Sequence, residues 1–349
     1  MPRSDTSNKE IGLPDITINK DKDKLFIAIC KKGGHSFVML GVYDKNNKVN
    51  HILCRVGKLF APDERPEESG CFSSIGRLWQ ALFGEAKAKL YDEGVFREKF
   101  SPTPISYQAY ELSYGQYKEF IQLLEGLQTE DNQFNVFKPV EENGSDVTLK
   151  LTSQPVLEAR ANIEVLKSNT CTLSIDNNCR HSAIKMIEEA THTPLPSLVS
   201  TNYVTDLPYT TQLEYGSPSP DVPFYVLPTP PTAYPELSPH KRKILSELYE
   251  HMEHMLLIAP HSIPTQRKFQ CLKDYYIEMA GPKKDLSLSD LLLDIQSWRE
   301  QHQVTINVLR ERTIWDEILS FFSIQRKSRT EMLFDKIEDD LQQAPSNRI

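Results

Sequence analysis

Residues 25–57 read LFIAICKKGGHSFVMLGVYDKNNKVNHILCRVG, and this stretch decides the fold of the first part of the chain. Three runs, 25–30, 35–43 and 49–57, are rich in β-branched and other apolar residues and are typical of strands. The connecting segments KKGG and DKNNK hold residues that accept a positive φ, which favours tight turns. The sequence therefore predicts a three-stranded antiparallel meander. Its middle strand is apolar on both faces, so we expect it to be central and covered on both sides.

Further helices and strands are predicted after the meander. Ser113 and Gln116 have the spacing of a capping box, which predicts the start of a helix. Ala183, Ile184, Ile187 and Ala190 form an apolar stripe of helical period. In chain order, the predicted elements are a helix over 72–96, a strand over 106–112, a helix over 113–127, a strand over 133–139, a polar insertion over 139–168, a strand over 171–176 and a helix over 179–190.

The composition along the chain predicts two domains separated by a proline-rich segment. The chain holds 349 residues, enough for two cores, and 23 prolines, many of them between 194 and 239. The fold class predicted is α+β, with a central antiparallel sheet followed by an all-α domain. The predicted divisions are a disordered N-terminus at 1–23, a catalytic domain at 24–193, a linker at 194–239, a helical domain at 240–342 and a tail at 343–349.

Charge and cysteine usage exclude several classes of function. The formal net charge of −8 gives nucleic acid no general attraction, so no nucleic-acid partner is expected. No apolar run approaches the ~20 residues that span a bilayer, and the first residues lack the features of a signal peptide. The six cysteines form no CxxC pair, which favours free thiols. We expect a cytoplasmic protein, or one secreted into a host cell without an N-terminal signal peptide.

A candidate nucleophile lies in LSIDNNCRHSA, residues 173–183. Asn177 or Asn178 can cap the predicted helix, which would fix Cys179 at its first turn. The exposed amides and the positive end of the helix dipole lower the pKa of a cysteine there. The backbone N–H of Cys179 would then donate to a developing oxyanion, with or without a side-chain amide. The alternative is a buried structural cysteine.

A nucleophilic cysteine needs an imidazole base that a third polar group orients. His181 lies two residues along the same helix, about 200° around it, and so points away from Cys179. His35 opens the central strand after two glycines, which keep its ring reachable. His51 lies on the next strand of the hairpin and is predicted to orient His35. The alternatives are a His35 bonded only to backbone and a His51 that is an ordinary strand residue.

The order of these motifs resembles that of circularly permuted papain-like cysteine hydrolases. In that group (permuted NlpC-type peptidases, lecithin:retinol acyltransferase-like proteins and DeSI-type isopeptidases) the histidine strand precedes the cysteine helix. GHSF, residues 34–37, looks like the histidine strand, and NCRHSA, residues 178–183, looks like the nucleophile helix. With a longer turn allowed, His51 matches the third polar residue. The resemblance covers about residues 24–192; the insertion at 139–170 departs from the minimal fold, and no second acid is evident.

The resemblance implies a thiol-dependent hydrolase (protease, isopeptidase or amidase) with Cys179 as nucleophile, His35 as base, and neither cofactor nor metal. The expected partner is a protein substrate, such as a ubiquitin-like conjugate or a host protein, because the chain also resembles effectors that bacteria deliver into cells. Trp79 is a candidate wall of the substrate cleft, although a core position is the commoner reading. Two other functions stay open: a thiol acyltransferase or lipid hydrolase, and a non-catalytic papain-like binding module. A zinc site at His251, His254 and His261 is the less favoured reading of an amphipathic helix.

Overall fold

The computed structural model of the chain divides into two compact units, Met1–Val226 and Leu227–Ile349. The first unit contains both strands and helices, and the second is helical over most of its described residues. The structure describes residues 14–44, 47–61, 86–93, 102–129, 133–196, 198–308 and 327–343.

The strands all begin within the first unit, and the helices occur in both units. The strands are β1 (Ile16–Asn19), β2 (Lys24–Lys32), β3 (His35–Tyr43), β4 (Val49–Phe60), β5 (Ala86–Asp92), β6 (Thr103–Leu112), β7 (Val136–Asn143), β8 (Asp146–Thr152), β9 (Thr172–Leu173), β10 (Tyr209–Glu214), β11 (Ser217–Pro218) and β12 (Val226–Leu227). The helices are α1 (Tyr114–Leu127), α2 (Glu164–Cys171), α3 (Cys179–Thr191), α4 (Pro239–Ile258), α5 (Ile263–Ala280), α6 (Leu288–Gln301), α7 (Gln303–Asn307) and α8 (Arg329–Gln343).

The main sheet has the strand order β11-β10-β6-β2-β3-β4-β5-β9, and neighbouring strands along it run antiparallel. The predicted meander is confirmed, because β2, β3 and β4 pair in sequence near its centre. Phe26, Ile29, Val38 and Leu40 are at most 1% exposed, which reflects the apolar run from which they come. The α+β class with a mostly antiparallel sheet is therefore the observed architecture.

Both faces of β3 are covered, as its sequence predicts. Helix α3 packs against β3 on the face that carries Ser36. Phe26 points to the opposite face, because side chains alternate along a strand. Phe224 covers that second face, with ring centroids 5.1 Å from Phe26 and 4.5 Å from Tyr107. The histidine strand is thus held between a helix and a returning segment of chain.

Two segments contain strands that the sequence analysis did not predict. The linker predicted at 194–239 contains β10, which pairs with β6, so the first unit runs on to Val226. Its strand residues alternate between buried and exposed, but the prolines around them dominate the composition. The disordered segment predicted at 1–23 contains β1, which joins β8 and β7 in a separate three-stranded sheet. The polar insertion at 139–168 contributes β8 to the same sheet.

Two element types also differ from prediction. Residues 72–85 of the helix predicted over 72–96, Trp79 among them, and residues 94–96 lie outside the described residues, and residues 86–92 form strand β5. The strand predicted over 171–176 is reduced to β9, because helix α2 continues to Cys171. Both differences concern short segments, in which tertiary pairing outweighs local preference.

Helix α1 begins where its capping box predicts. The Ser113 hydroxyl accepts from the Gln116 amide at 3.1 Å, and the Ser113 amide donates to Gln116 Oε1 at 3.0 Å. These bonds satisfy two backbone donors, one from each residue. Tyr117, Phe120 and Ile121 are buried on the face that the sequence predicts.

The second unit is built from α4 to α8. Helix α4 packs against α5, and α6 packs against α8. Trp298 stacks on Tyr275 with ring centroids 4.4 Å apart, so it is a core residue. Arg299 pairs with Glu338 at 2.7 Å and ties α6 to α8. Within the described ranges, every helix is too short or too polar to cross a lipid bilayer.

Candidate active site

The start of α3 fixes the candidate nucleophile. Asn178 is the N-cap, and its Oδ1 accepts from the amides of Arg180 at 2.9 Å and His181 at 3.3 Å. Cys179 is therefore the first residue of the helix, as predicted, and it is 7% exposed. The first amides of a helix have no intrahelical partner and carry the positive end of the dipole. This position favours a negative charge on the Cys179 sulfur.

The turn between β2 and β3 brings His35 to that sulfur. The Ser36 amide donates to Cys179 Sγ at 3.2 Å, and the Gly34 carbonyl oxygen lies 3.9 Å from the same atom. The side chains of His35 and Cys179 interact closely enough for each to shift the pKa of the other. Two residues far apart in the sequence are therefore in contact, as the hypothesis of a cysteine–histidine pair requires.

The third member of the group is Glu93, which directly follows β5. Its Oε1 lies 2.6 Å from His35 Nε2, and the residue is 5% exposed. Because Nε2 is engaged by the carboxylate, Nδ1 is the ring nitrogen left to face the thiol. A buried carboxylate in this position fixes the tautomer of the imidazole and stabilises its protonated form. Sequence reasoning missed Glu93 because the segment before it was interpreted as a helix.

The structure does not bring His51 to this site. His51 is exposed and lies opposite Val42 on β3, seven residues from His35. At a rise of about 3.3 Å per residue, that offset separates the two histidines by ~23 Å. The residue opposite Phe37 is instead Gly57, so the register of β3 and β4 moves His51 toward the far end of the hairpin. The predicted orienting role of His51 is thus corrected to Glu93.

Charge interactions within the group favour a thiolate–imidazolium pair. Burial by itself lowers the pKa of His35, but its bonds to Cys179 and Glu93 outweigh that effect and raise the pKa to about 9. Burial by itself raises the pKa of Cys179, but His35, the Ser36 amide and the charge of Lys58 lower it overall. The opposite shifts mean that both groups are charged over the pH range between the two pKa values.

The two asparagines before Cys179 hold the loop that leads into α3. Asn178 Nδ2 donates to the Ile175 carbonyl at 2.8 Å, in addition to the cap made by its oxygen. Asn177 Nδ2 donates to the Asn169 carbonyl at 2.9 Å. Both side-chain amides are thus bonded to the protein itself. The expected oxyanion donor is therefore the backbone N–H of Cys179, while Asn178 caps the helix and Asn177 does not.

Arg180 ties α3 to its surroundings and is fully buried. Its Nε donates to Ser36 Oγ at 2.8 Å, and its two terminal nitrogens donate to the carbonyls of Ser200 at 2.9 Å and Thr205 at 3.0 Å. Burial lowers the pKa of this guanidinium. The Ser36 contact links the helix directly to the residue whose amide touches the Cys179 sulfur.

Gly57 allows His35 and Glu93 to meet. A Cβ atom at this position would lie 2.5 Å from Glu93 Oε1 and 2.7 Å from His35 Nε2. Gly57→Ala is therefore expected to push the pair apart and to slow alkylation of Cys179 at pH 6.5 by about 100-fold, the effect of a displacement near 1 Å at a reactive group. Iodoacetamide labelling followed by mass spectrometry measures this rate.

The control for this variant is Gly115→Ala. Gly115 lies in the first turn of α1, where an added Cβ meets only the Ser113 hydroxyl at 3.8 Å. We expect it to leave the labelling rate unchanged. A Gly57→Ala protein that folds and reacts at the wild-type rate would show that the contact between His35 and Glu93 is not needed.

The histidines of α4 have other partners. His251 Nε2 lies 2.9 Å from Thr330 Oγ1, and His254 Nδ1 lies 2.7 Å from the Glu250 carbonyl. Among the residues that the structure describes, no group of three or more metal-binding side chains is found. The alternative interpretation as a zinc site therefore has no geometric support in this part of the chain.

Comparison of the chain with known protein families, with curated protein sequences and with solved structures finds no match. What supports a function is therefore the chemistry of the group itself, in which a thiol at a helix start contacts an imidazole held by a buried carboxylate.

Proposed function

We propose that the first unit is a cysteine hydrolase that cleaves an amide or isopeptide bond of a protein substrate. One observation carries the proposal: the His35 imidazole interacts with the Cys179 thiol and lies 2.6 Å from the Glu93 carboxylate, so the three side chains form one continuous group. A nucleophile, a base and a group that orients the base are the three parts that thiol-dependent acyl transfer requires. In this proposal Cys179 is the nucleophile, His35 the acid–base and Glu93 the orienting acid.

The reaction would proceed through a covalent intermediate. The Cys179 thiolate attacks the carbonyl carbon and forms a C–S bond, while the carbonyl electrons move to oxygen. The backbone N–H of Cys179 donates to that oxyanion. Protonated His35 gives its proton to the leaving nitrogen as the C–N bond breaks. Neutral His35 then takes a proton from water, which attacks the thioester and releases the acid and the thiolate.

The proposed fold family is that of the circularly permuted papain-like hydrolases. The support is topological: the histidine opens β3, and the cysteine opens a helix that follows it in the chain and packs on that strand. The imidazole also interacts with the thiol and bonds the Glu93 carboxylate through Nε2. The small sheet of β1, β8 and β7 lies outside the minimal arrangement.

Protein substrates are proposed over small molecules because of the resemblance to isopeptidases and delivered effectors. Cys30, Cys54, Cys171, Cys179 and Cys271 are free thiols, which fits a reducing compartment such as the cytoplasm of a producing or a host cell. A ubiquitin-like conjugate or a host protein is the proposed class. Thiol acyl transfer to or from a lipid uses the same three groups and is the second candidate.

The first test is pH-dependent alkylation of the wild-type protein. Because the pKa of Cys179 is lowered, a larger fraction of it is thiolate at pH 6 than of an ordinary thiol, which is almost wholly protonated there. We expect iodoacetamide to label Cys179 about 10-fold faster, or more, than the exposed Cys171, after allowance for the weaker nucleophilicity of a low-pKa thiolate. Burial raises the pKa of Cys271 to about 12, so that thiol should react slowly.

Two outcomes decide the proposal. Fast labelling that disappears in Cys179→Ser supports an activated nucleophile, and probes that carry a ubiquitin-like protein or an acyl-lipid ester then separate hydrolase from acyltransferase. Labelling of Cys179 no faster than that of Cys171 at pH 6 would overturn the proposed catalytic role. A non-catalytic module would in addition keep its cellular effect in Cys179→Ala.

A further inference from the structure

A buried lysine lies beneath the loop that precedes the nucleophile. Lys58 is on β4 and is 1% exposed. Its Nζ donates to the carbonyls of Asn169 at 2.9 Å, Thr172 at 2.8 Å and Asn177 at 2.7 Å, with Asn177 Oδ1 at 3.1 Å. These acceptors come from the end of α2, from β9 and from the residue before the N-cap. A single ammonium thus joins every segment that leads into α3.

The acceptors around Lys58 are neutral. Among the described residues, its hydrogen-bond partners include no carboxylate, whereas the equally buried Lys138 contacts Glu125 Oε1 at 2.9 Å. A buried cation held only by dipoles lacks a compensating charge. Burial accordingly lowers the pKa of Lys58 to about 7, and the charges that act against this effect are those of Cys179 and Cys171. A thiolate at Cys179 is a stabilising partner for this ammonium.

We propose that Lys58 is a positioning residue of the cysteine hydrolase: its ammonium holds the loop at 172–178 so that Cys179 opens α3 opposite His35, and its charge favours the thiolate. This inference rests on the proposed function of Cys179. Lys58 does not contact His35 or the scissile bond in this scheme. It acts through the loop and through space on the sulfur.

Other charged groups around Cys179 limit the size of the effect. His35 contacts the thiol directly, so the removal of Lys58 is expected to leave part of the pKa shift in place. Arg180 also interacts with the charge on Cys179. The charged and titratable groups near Cys179 and Lys58 are His35 on β3, Glu93 after β5, Arg180 and His181 on α3, Cys171 at the end of α2, and Asp176 and Asp206 in the flanking loops.

The experiment compares pH profiles of Cys179 alkylation in the full chain. Lys58→Met keeps the length of the side chain and removes the charge, so we expect the midpoint of the profile to rise by about one pH unit and labelling at pH 6 to fall about 10-fold. Lys58→Arg keeps the charge, but its guanidinium does not fit the three carbonyls. We therefore expect the midpoint of the pH profile to be unchanged and the rate of Cys179 alkylation to fall. Lys138→Met is the matched control, because it removes a buried lysine of the same unit that does not contribute to the pKa shift of Cys179, so we expect the midpoint of its profile to stay at the wild-type pH.

The outcomes separate this inference from the proposed function. A wild-type protein with an ordinary thiol midpoint would overturn the catalytic role of Cys179 itself. A wild-type protein with a low midpoint that Lys58→Met retains would overturn only the role of Lys58. If Lys58→Met does not fold, Asn177→Ala tests the loop: a slower rate at an unchanged midpoint supports the positioning role, and the wild-type rate contradicts it.

Discussion

His35→Ala is expected to slow the alkylation of Cys179 at pH 6 by about 100-fold or more. The imidazolium supplies both the hydrogen bond and the nearest positive charge that lower the pKa of this buried thiol. Without it, burial dominates, the pKa rises, and the thiolate fraction at pH 6 falls. In enzymes, loss of a general base lowers the turnover rate by about 10²–10⁴-fold, which is similar in size to the loss of alkylation rate expected here. Labelling rates measured by mass spectrometry from pH 5 to 9 give the effect.

His192→Asn is the matched control for that variant. His192 also contacts a carboxylate, with 2.5 Å between its Nε2 and Glu119 Oε2, but it is exposed and lies at the other end of α3. Asparagine tolerates the positive φ of 54° at this C-cap. The control should label at the wild-type rate. Equal rates for His35→Ala and the wild type would remove His35 from the mechanism.

Glu93→Gln tests the same group of residues by a smaller change, because it keeps His35 and removes only the charge beside it. Glu93 helps to raise the pKa of His35 to about 9, so a neutral amide should lower the pH at which His35 loses its proton. The raised pKa also makes stability depend on pH. Protonated His35 adds to the free energy of unfolding at low pH, and this contribution is lost as the pH rises through that pKa. NMR titration of the His35 ring protons measures the shift. A pKa that stays near 9 would contradict the orienting role of Glu93.

Arg180→Met is expected to have the largest effect on stability, a loss of about 3 kcal/mol from the free energy of unfolding. The substitution leaves Ser36 Oγ and the carbonyls of Ser200 and Thr205 without their charged donor. The buried Ser36 acceptor costs about 1–3 kcal/mol when it is left unsatisfied, the two partly buried carbonyl contacts add to that loss, and relief from burying a guanidinium offsets part of the sum. Hydrogen exchange of the strand amides measures the first unit separately from the helical unit.

The control is Arg160→Met. Arg160 contacts Glu189 at 3.1 Å, but both side chains are partly exposed, so the loss should be below about 1 kcal/mol. Equal losses in the two variants would show that the buried contacts of Arg180 add nothing beyond those of a surface arginine.

The sequence predicted the parts of the site that carry strong local signals. The strand that starts at His35 follows from an apolar run after a glycine turn, and the helix start at Cys179 follows from an asparagine cap. The contact between them required the family resemblance as well, because neither pattern contains information on distance. The proposed catalytic assignment itself stays a prediction.

Glu93 was harder to find because it depends on pairing rather than on local pattern. The segment AKAKLYD at 86–92 alternates with a period of two, which is a strand signal, but the apolar residues before it favoured a helix. The error at His51 has a different cause: the turn between β3 and β4 places His51 near the turn, opposite Val42, and therefore far along β3 from His35. The strand β10 was missed because its alternation is embedded among prolines.

The three proposed reactive groups come from β3, from the end of β5 and from the start of α3, and the sheet that aligns them takes a further strand from β10. During synthesis the histidine and the glutamate emerge well before the cysteine, and two of the three residues that Arg180 contacts, Ser200 and Thr205, emerge after it. A nascent or misassembled chain therefore carries an ordinary thiol with little reactivity at mildly acidic pH. In the proposed scheme, activation of the sulfur is therefore coupled to completion of the native fold, which makes acid-pH alkylation a direct assay of correct folding.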